Sequence, residues 1–241
     1  MSSASQPAAV VLLSGGIDSS TCLAVARQQH ECHALTVEYG QRNAPELDAA
    51  GRVARSLGVV EHRIVELRFD WRGSTALVPD LGAPQVPRSA DAVAPSAPPP
   101  DGVPVTYVPA RNSIFLALGA AWAEALGTPH LFIGVNRVDY SGYPDCRPAY
   151  VEAIQAALRL GTRRGDLQIH APLMELTKGQ IVRRGTELGL DYGLTWSCYD
   201  PQDAPAGPRA CGLCDSCIHR KKGFAEAGVP DPTPYAPTDR G

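Results

Sequence analysis

A glycine-rich turn directly after a short apolar run restricts the fold of this chain more than any other feature. Residues 8–13 read Ala-Ala-Val-Val-Leu-Leu, and residues 14–19 read Ser-Gly-Gly-Ile-Asp-Ser. A short run of apolar and β-branched residues is typical of a buried strand, and the two glycines permit the positive φ of a tight turn. Asp18, Ser19 and Ser20 are residue types that begin helices. The pattern therefore predicts a strand, a turn and a helix at the start of an α/β sheet.

The rest of the chain alternates between helix-like and strand-like patterns. Helices are expected over Thr21 to Gln28, about 45–57, Asn112 to about Leu126, Pro148 to about Leu160, and Thr177 to Leu188, with Asn112 as a cap and Thr177 with Gln180 in a capping box. Further strands are expected over 35–37, 59–67, 130–135 and 170–173. This alternation predicts a doubly wound, mainly parallel sheet of about five strands. The segment from Trp196 onward is rich in loops and cysteines.

The glycine loop, residues 14–19, has the chemistry of a phosphate site. Successive backbone N–H groups and the hydroxyls of Ser14, Ser19 and Ser20 can face one anion at a helix N-terminus. Asp18 suits such a site if it helps to hold Mg²⁺. The loop lacks the Gly-Lys-Ser/Thr ending of a Walker A sequence and lacks Gly-x-Gly-x-x-Gly, which disfavours a P-loop NTPase and an NAD-binding protein. A plain strand–turn–helix joint is the alternative.

Four of the seven cysteines have the spacing C-x12-C-x2-C-x2-C: Cys198, Cys211, Cys214 and Cys217. Four thiolates suit a closed tetrahedral Zn²⁺ site, which would stabilise the fold rather than catalyse a reaction. An iron–sulfur cluster and a set of unrelated buried cysteines are the alternatives. Seven is odd, so a complete disulfide framework would leave one thiol over.

The charge balance argues against a strongly basic nucleic-acid binder. Lys and Arg number 22 and Asp and Glu 25, giving a net charge of −3. The basic run at 219–222 is expected to be a solvated helix face, with a nucleic-acid patch as the alternative. The chain lacks an uninterrupted run of about 18 apolar residues and lacks a basic, secretory-type N-terminus, so we expect a cytoplasmic protein without a membrane span.

Residues 73–108 contain eight prolines, which predicts a loop or flap over a site. A solvated surface excursion is the alternative. Polar segments on either side of the predicted fourth strand carry candidate binding groups. Arg111 and Arg147 can grip a phosphate or carboxylate, while Asp139 and Asp145 can accept hydrogen bonds from a purine-like edge. Tyr140 and Tyr143 can stack on a planar ring. Taken singly, each of these groups is more readily a surface charge or a core ring, but their grouping favours a binding site.

Cys146 lies within the same polar segment and is a candidate nucleophile. A small buried or loop cysteine is the favoured interpretation.

The Ser-Gly-Gly-x-Asp-Ser loop resembles that of the pyrophosphate-loop ATP pyrophosphatases. Within that superfamily the chain is similar to the 7-cyano-7-deazaguanine synthases of queuosine biosynthesis, and the matching stretches run nearly end to end. They are 14–19, 37–42, 107–112, 134–147, 172–178, 194–200 and 210–217. The Asp-Tyr-Ser-Gly-Tyr-Pro-Asp-Cys-Arg segment and the cysteine spacing are the specific features. The chain departs from the family at Ser113, where Thr is usual, and in an Ala/Pro-rich flap.

The resemblance implies an adenine-nucleotide-alpha-hydrolase-type α/β domain over 1–193, with a zinc-binding segment over 194–241 packed on it. It implies ATP-driven conversion of 7-carboxy-7-deazaguanine and ammonia to the nitrile, with ATP, Mg²⁺ and structural Zn²⁺. It also implies small-molecule substrates, no direct nucleic-acid partner and a homodimer. A transfer-RNA-modifying thiolase or lysidine-type ligase is the main alternative, and a nucleotide-binding regulator is a more distant one.

The resemblance also implies site residues. The ATP-binding residues are Leu13, Ser14, Gly15, Gly16, Ile17, Asp18, Ser19 and Ser20. The substrate-binding residues are Tyr39, Gln41, Arg42, Arg111, Asn112, Asn136, Asp139, Tyr140, Tyr143, Asp145 and Arg147. The catalytic residues are Lys178, Asp18 and Arg111, and the metal ligands are Cys198, Cys211, Cys214 and Cys217.

Overall fold

The computed structural model describes residues 6–41, 45–68, 75, 77–78, 103–104, 106–137 and 143–237. The strands are β1 (Ala8–Leu12), β2 (Glu31–Glu38), β3 (Glu61–Glu66), β4 (His130–Phe132) and β5 (Gln168–His170). The helices are α1 (Ile17–Ala26), α2 (Pro45–Ser56), α3 (Arg111–Leu126), α4 (Pro148–Gly161), α5 (Lys178–Glu187) and α6 (Asp215–Ala227). Short 3₁₀ turns cover Pro144–Cys146 and Tyr192–Leu194.

The five strands form one parallel sheet with the order β3-β2-β1-β4-β5. The sequence-based fold class is thereby confirmed. The chain extends the sheet in one direction from β1 to β3 and then crosses to the other side of β1 for β4. Open α/β sheets bind ligands at the carboxyl ends of strands where the order reverses in this way. That position lies between the loops that follow β1 and β4.

The core has two apolar layers, one on each face of the sheet. Alternate residues of β1 point to opposite faces, as the period of a strand requires. Ala9 and Val11 pack with α1, α2, α5 and α6. Val10 and Leu12 pack with α3 and α4. Both layers hold the carboxyl ends of β1 and β4 in place.

Several element boundaries differ from the sequence-based expectation. β4 ends at Phe132 rather than at residue 135, because the chain leaves the sheet there to pass over the start of α1. A Cβ on Gly134 would lie 2.8 Å from the carbonyl oxygen of Asp18, so only glycine permits this approach. β5 covers Gln168–His170 rather than 170–173. The capping box of α5 is confirmed, since Gln180 N donates to Thr177 Oγ1 and Thr177 N donates to Gln180 Oε1.

The prediction that Asn112 caps α3 is wrong. Ala110 is the cap residue, with φ 55°, and Asn112 lies buried in the first turn. The backbone N–H of Asn112 donates to Asp145 Oδ2 at 3.0 Å. The Asp145 carboxylate, 33 residues away in the sequence, therefore accepts a hydrogen bond from a backbone N–H in the first turn of α3. Such N–H groups have no acceptor within the helix.

The prediction of a solvated face at 219–222 fails at Arg220, which is 2% exposed. Its guanidinium contacts Asp231 Oδ1 at 3.0 Å, donates to Thr195 Oγ1 at 2.8 Å and lies over the Phe224 ring. Arg220 also donates to the carbonyl of Tyr192 at 3.1 Å. A buried cation needs such compensation, so this network holds α6 against Tyr192, Thr195 and Asp231.

Among the described helices, none has the length and apolar character needed to cross a bilayer.

Three histidines meet at the end of α1 and on β4 and β5. His130 Nδ1 and His170 Nε2 lie 3.0 Å apart, and the His30 ring lies 4.7 Å from that of His130. Burial, followed by the neighbouring His130 and His30, lowers the pKa of His170 from 6.5 to about 4. Because the unfolded chain binds this proton more readily, stability falls as the pH drops from about 6.5 toward 4.

We predict that His170→Asn makes the melting temperature less sensitive to acid. The variant should lose less stability than the wild type between pH 7.5 and pH 5, because one suppressed protonation has been removed. Thermal unfolding of both proteins at the two pH values provides the measurement. Equal losses in the two proteins would contradict the role of His170.

Candidate active site

Gly15 has a backbone conformation that the packing of the glycine loop requires. Its φ is +90°, and a Cβ there would lie 2.5 Å from both Ala50 N and Glu46 O of α2. The α2 backbone therefore presses directly on the loop. On the other side, Trp196 N donates to the Gly15 carbonyl at 2.9 Å. The loop is clamped between α2 and the segment that precedes the cysteine cluster.

The serines of the loop bond to one another. Ser14 Oγ and Ser19 Oγ lie 3.0 Å apart, Ser14 N donates to Ser19 Oγ, and Gly16 N donates to Ser14 Oγ. The side chains of Leu13 and Ile17 are buried in the core, so these two residues offer the site their backbone alone. Ser20 is fully buried and its Oγ has no partner within the described part of the chain.

Asp18 is paired with Lys178, the first residue of α5. Lys178 Nζ lies 2.7 Å from each carboxylate oxygen, and Asn136 Nδ2 donates to Asp18 Oδ2 at 3.3 Å. The side chains of Lys178 and Asp18 are 13% and 28% exposed, so solvent screens the pair only in part. The Lys178 ammonium therefore neutralises the Asp18 carboxylate within the glycine loop.

The aliphatic part of the Lys178 side chain packs closely against α6. A Cβ on Gly223 of α6 would lie 2.3 Å from Lys178 Cγ. Helix α6 therefore limits the positions open to the Lys178 side chain, and its ammonium group lies at Asp18 in the glycine loop.

A second cluster, which we call the Arg111 cage, consists of Arg111, Tyr39 and Tyr143. Arg111 Nη1 donates to the Tyr39 hydroxyl at 3.1 Å, and the guanidinium carbon lies 5.9 Å from the centroids of both tyrosine rings. The Tyr143 hydroxyl donates to Thr106 Oγ1 at 2.7 Å. Burial is the largest cause of raised pKa values at Tyr39 and Tyr143, so both stay neutral phenols at neutral pH. A cation between two rings can receive an anionic, planar ligand.

Other predicted substrate residues bond within the protein. Asp145 accepts from Asn112, as described above, and Asn112 Nδ2 donates to the Asp145 carbonyl at 3.1 Å. Gln41 Oε1 accepts from Tyr39 N at 2.8 Å, so this side chain orients the end of β2. Arg147 is exposed at the start of α4. Arg42, Asp139, Tyr140 and most of the proline-rich segment lie outside the described residues.

The Cys146 thiol is partly buried, with its sulfur accepting a hydrogen bond from Asn112 Nδ2. Burial, followed by the adjacent Asp145 carboxylate, raises the pKa of Cys146 to about 12. A thiol of this kind is protonated at neutral pH and is a poor nucleophile. The environment favours the interpretation of Cys146 as a packed side chain.

The four predicted metal ligands meet in a buried cluster, with all four sulfurs within 4.8 Å of one another. The sulfurs of Cys211 and Cys217 are 4.0 Å apart, and a tetrahedral zinc site with Zn–S bonds of about 2.3 Å needs roughly 3.8 Å. Hydrogen bonds from the other three thiols, and then from Leu213 N, lower the pKa of Cys211. Backbone N–H groups of Asp200 and Cys211 also donate to Cys198 Sγ. This donor set fits one tetrahedral, thiophilic metal.

The structure adds two residues that sequence reasoning did not assign a role: Trp196, which contacts the glycine loop, and Tyr199, which lies beside the Arg111 cage. Both flank Cys198 in the sequence. Their position next to Cys198, a predicted metal ligand, was the signal that the sequence offered. The local sequence does not determine where either side chain points.

The chain matches the family described as "Queuosine biosynthesis protein QueC" over residues 8–228. It belongs to that family. A protein named 7-cyano-7-deazaguanine synthase from Desulfatibacillum aliphaticivorans is 53% identical over 235 residues, covering 95% of this chain and 97% of the relative. Relatives of the same name from Geobacter sulfurreducens and Kineococcus radiotolerans are 53% and 54% identical, over 97% and 94% of this chain and 95% and 97% of their own lengths.

Among solved structures, an NMN synthetase from Francisella tularensis is a distant likeness. It is 18% identical, with a TM-score of 0.45, and the match covers 94% of this chain and 74% of that one.

We predict that Cys146 resists alkylation in the folded protein. Iodoacetamide at pH 8 should label the Cys146 peptide at less than a tenth of the rate measured in denatured protein, because the thiol is protonated and partly buried. Peptide mass spectrometry measures both rates. Labelling of the folded protein as fast as that of the denatured chain would reveal an activated thiolate and contradict this assignment.

Proposed function

We propose that this chain converts 7-carboxy-7-deazaguanine and ammonia to 7-cyano-7-deazaguanine at the cost of ATP. The observation that carries the proposal is the identity of 53% over 95% of the chain to a relative of that name. The joint presence of a glycine loop and a cationic cage near the sheet's switch point supports it. The glycine loop suits phosphates, and the Arg111 cage suits a planar carboxylate.

The proposed reaction has two activation stages. In the first, the substrate carboxylate attacks the α-phosphorus of ATP, which releases pyrophosphate and forms an acyl-adenylate. Ammonia then attacks the acyl carbon and displaces AMP, and loss of a proton from nitrogen leaves the amide. In the second, another ATP activates the amide oxygen. Loss of that phosphorylated oxygen and of the two amide protons leaves the nitrile. Phosphorylation is needed because neither hydroxide nor oxide leaves readily at neutral pH.

The glycine loop supplies the groups that hold phosphates in this proposal. The Gly16 N–H and the Ser14 and Ser19 hydroxyls exchange their mutual contacts for phosphate oxygens, and the Gly15 N–H is a further donor. Lys178 turns from Asp18 toward the departing phosphate and neutralises its charge. Freed in this way, Asp18 fits as an oxygen ligand for Mg²⁺, which when bound would neutralise further phosphate charge.

The Arg111 cage is the proposed site for the substrate carboxylate and ring. Arg111 pairs with the carboxylate while Tyr39 and Tyr143 border the ring. Asn136 donates to Asp18 of the glycine loop and is a further proposed substrate contact. Asn112, Asp145 and Gln41 support the walls through their internal hydrogen bonds. We also propose that the substrate is bound by Arg42, Asp139, Tyr140 and Arg147. Ammonia is the nucleophile, so positioning rather than a nucleophilic triad lowers the barrier.

Zn²⁺ is the proposed occupant of the four-cysteine cluster. A site with four protein thiolates has no open position, so the metal would hold the C-terminal segment in place rather than activate a ligand. A homodimer in the cytoplasm completes the proposal.

Purified protein should consume ATP when both 7-carboxy-7-deazaguanine and ammonium are present, and not when either is omitted. Mass spectrometry should identify the nitrile as the product. Omission of each substrate in turn is the control, because uncoupled ATP hydrolysis would continue without it. Failure to form the nitrile, together with ATP turnover on transfer RNA, would contradict the proposal and favour a transfer-RNA-modifying enzyme.

A further inference from the structure

The segment from Thr106 to Arg111 holds two sides of the Arg111 cage. At one end, Thr106 is buried, and its Oγ1 accepts the hydrogen bond from the Tyr143 hydroxyl. At the other end, Arg111 begins α3 and donates to the Tyr39 hydroxyl. The conformation of the residues between these two ends therefore sets how Tyr143 and the Arg111 guanidinium face each other.

Ala110 has an unusual backbone conformation within this segment. Its φ is 55° and its ψ is 19°, in the left-handed region that is disfavoured for residues with a Cβ. Within the described part of the chain, it is the one residue other than glycine with a positive φ. Its side chain is exposed, so burial of that side chain does not account for the conformation. A strained conformation of this kind persists where neighbouring groups hold it.

The Tyr107 side chain supplies a group that holds Ala110. The Ala110 N–H donates to the Tyr107 hydroxyl at 3.0 Å, which closes the turn that leads into α3. The Tyr107 ring also lies beside the Tyr143 ring, with 5.8 Å between the two centroids. One side chain therefore contacts both the strained residue that precedes Arg111 and a wall of the cage.

We propose that Tyr107 is a positioning residue, because its hydroxyl holds Ala110 in the left-handed conformation. That conformation keeps Arg111 and Tyr143 in the orientation that receives the substrate carboxylate. The inference rests on the proposed function for its substrate and on the contacts above for its geometry. Without the hydroxyl, the turn would spend part of its time in conformations that alanine prefers. The apparent affinity for the substrate would then fall in proportion to the fraction of competent protein.

Removal of the Tyr107 hydroxyl should weaken binding of the substrate carboxylate. We expect Tyr107→Phe to raise KM for 7-carboxy-7-deazaguanine about three- to tenfold, the range for loss of one neutral hydrogen bond. KM for ATP and kcat should stay within about twofold of the wild type, since the glycine loop and Lys178 are unchanged. A residue with a purely structural role would change all three values together.

Ala110→Gly tests whether relief of the strain rescues the variant. Glycine adopts the left-handed conformation without strain, so the turn no longer depends on the hydroxyl. We expect Ala110→Gly to keep KM within about twofold of the wild type, and the double variant with Tyr107→Phe to keep it within about twofold of Ala110→Gly. A three- to tenfold increase in the double variant over Ala110→Gly would overturn the inference, because the hydroxyl would then act independently of the strain.

Tyr150→Phe is the matched control. The Tyr150 hydroxyl lies 2.7 Å from Ser113 Oγ in the first turn of α3. This variant therefore loses the same atom beside the same helix, but not at the turn that precedes it. We expect unchanged KM values. An unchanged KM in Tyr107→Phe, or an equal increase in Tyr150→Phe, would overturn the inference.

Hydrogen exchange of the Ala110 amide separates this inference from the proposed function, because the measurement needs no substrate. NMR should show exchange at least about threefold faster in Tyr107→Phe and unchanged in Tyr150→Phe. Equal exchange in the wild type and Tyr107→Phe would overturn the inference, since the hydroxyl would not hold Ala110. Faster exchange in a protein whose wild type forms no nitrile would support the role of the hydroxyl at Ala110 and contradict the proposed function.

Discussion

A single carboxylate, Asp18, joins parts of the chain that are far apart in sequence. Asp18 is the second residue of α1, lies within the glycine loop, and pairs with Lys178 at the start of α5. Asn136, from the loop after β4, donates to the same carboxylate. Helix α6 closes against Lys178 at Gly223. Each of these contacts involves the partly buried Asp18–Lys178 pair. The pair therefore fixes the loops on the two sides of the switch point of the sheet relative to each other.

This arrangement brings the glycine loop and the Arg111 cage to the same edge of the sheet, since the loop follows β1 and Tyr39 follows β2. The crossover between β1 and β4 places the two loops side by side, and the Arg111 cage lies at the start of the helix that precedes β4. The C-terminal segment then contacts both halves, because Trp196 N donates to the Gly15 carbonyl and the Tyr199 ring packs with the apolar cluster that contains Tyr39. Trp196 and Tyr199 both pack with the four-cysteine cluster.

Local patterns in the sequence were sufficient for the sheet, the glycine turn and the cysteine cluster, because apolar periodicity, glycine and thiol spacing act over short distances. Local patterns did not predict the features that depend on a residue far away in the sequence. Arg220 is buried because Asp231 and the Tyr192 carbonyl compensate its charge. Asn112 is not a cap because Asp145 supplies that contact. The Asp18–Lys178 pair spans 160 residues, so no local pattern contains it.

A double-mutant cycle on Asp18 and Lys178 tests the central claim most directly. Asp18→Asn and Lys178→Met should each lower the free energy of unfolding by about 1–3 kcal/mol, since each leaves a partly buried charge unpaired. The double variant should lose less than the sum of the two, with a coupling of at least about 0.5 kcal/mol. Urea unfolding of the four proteins gives the values. Additive losses would show that the two side chains act independently and would contradict the account.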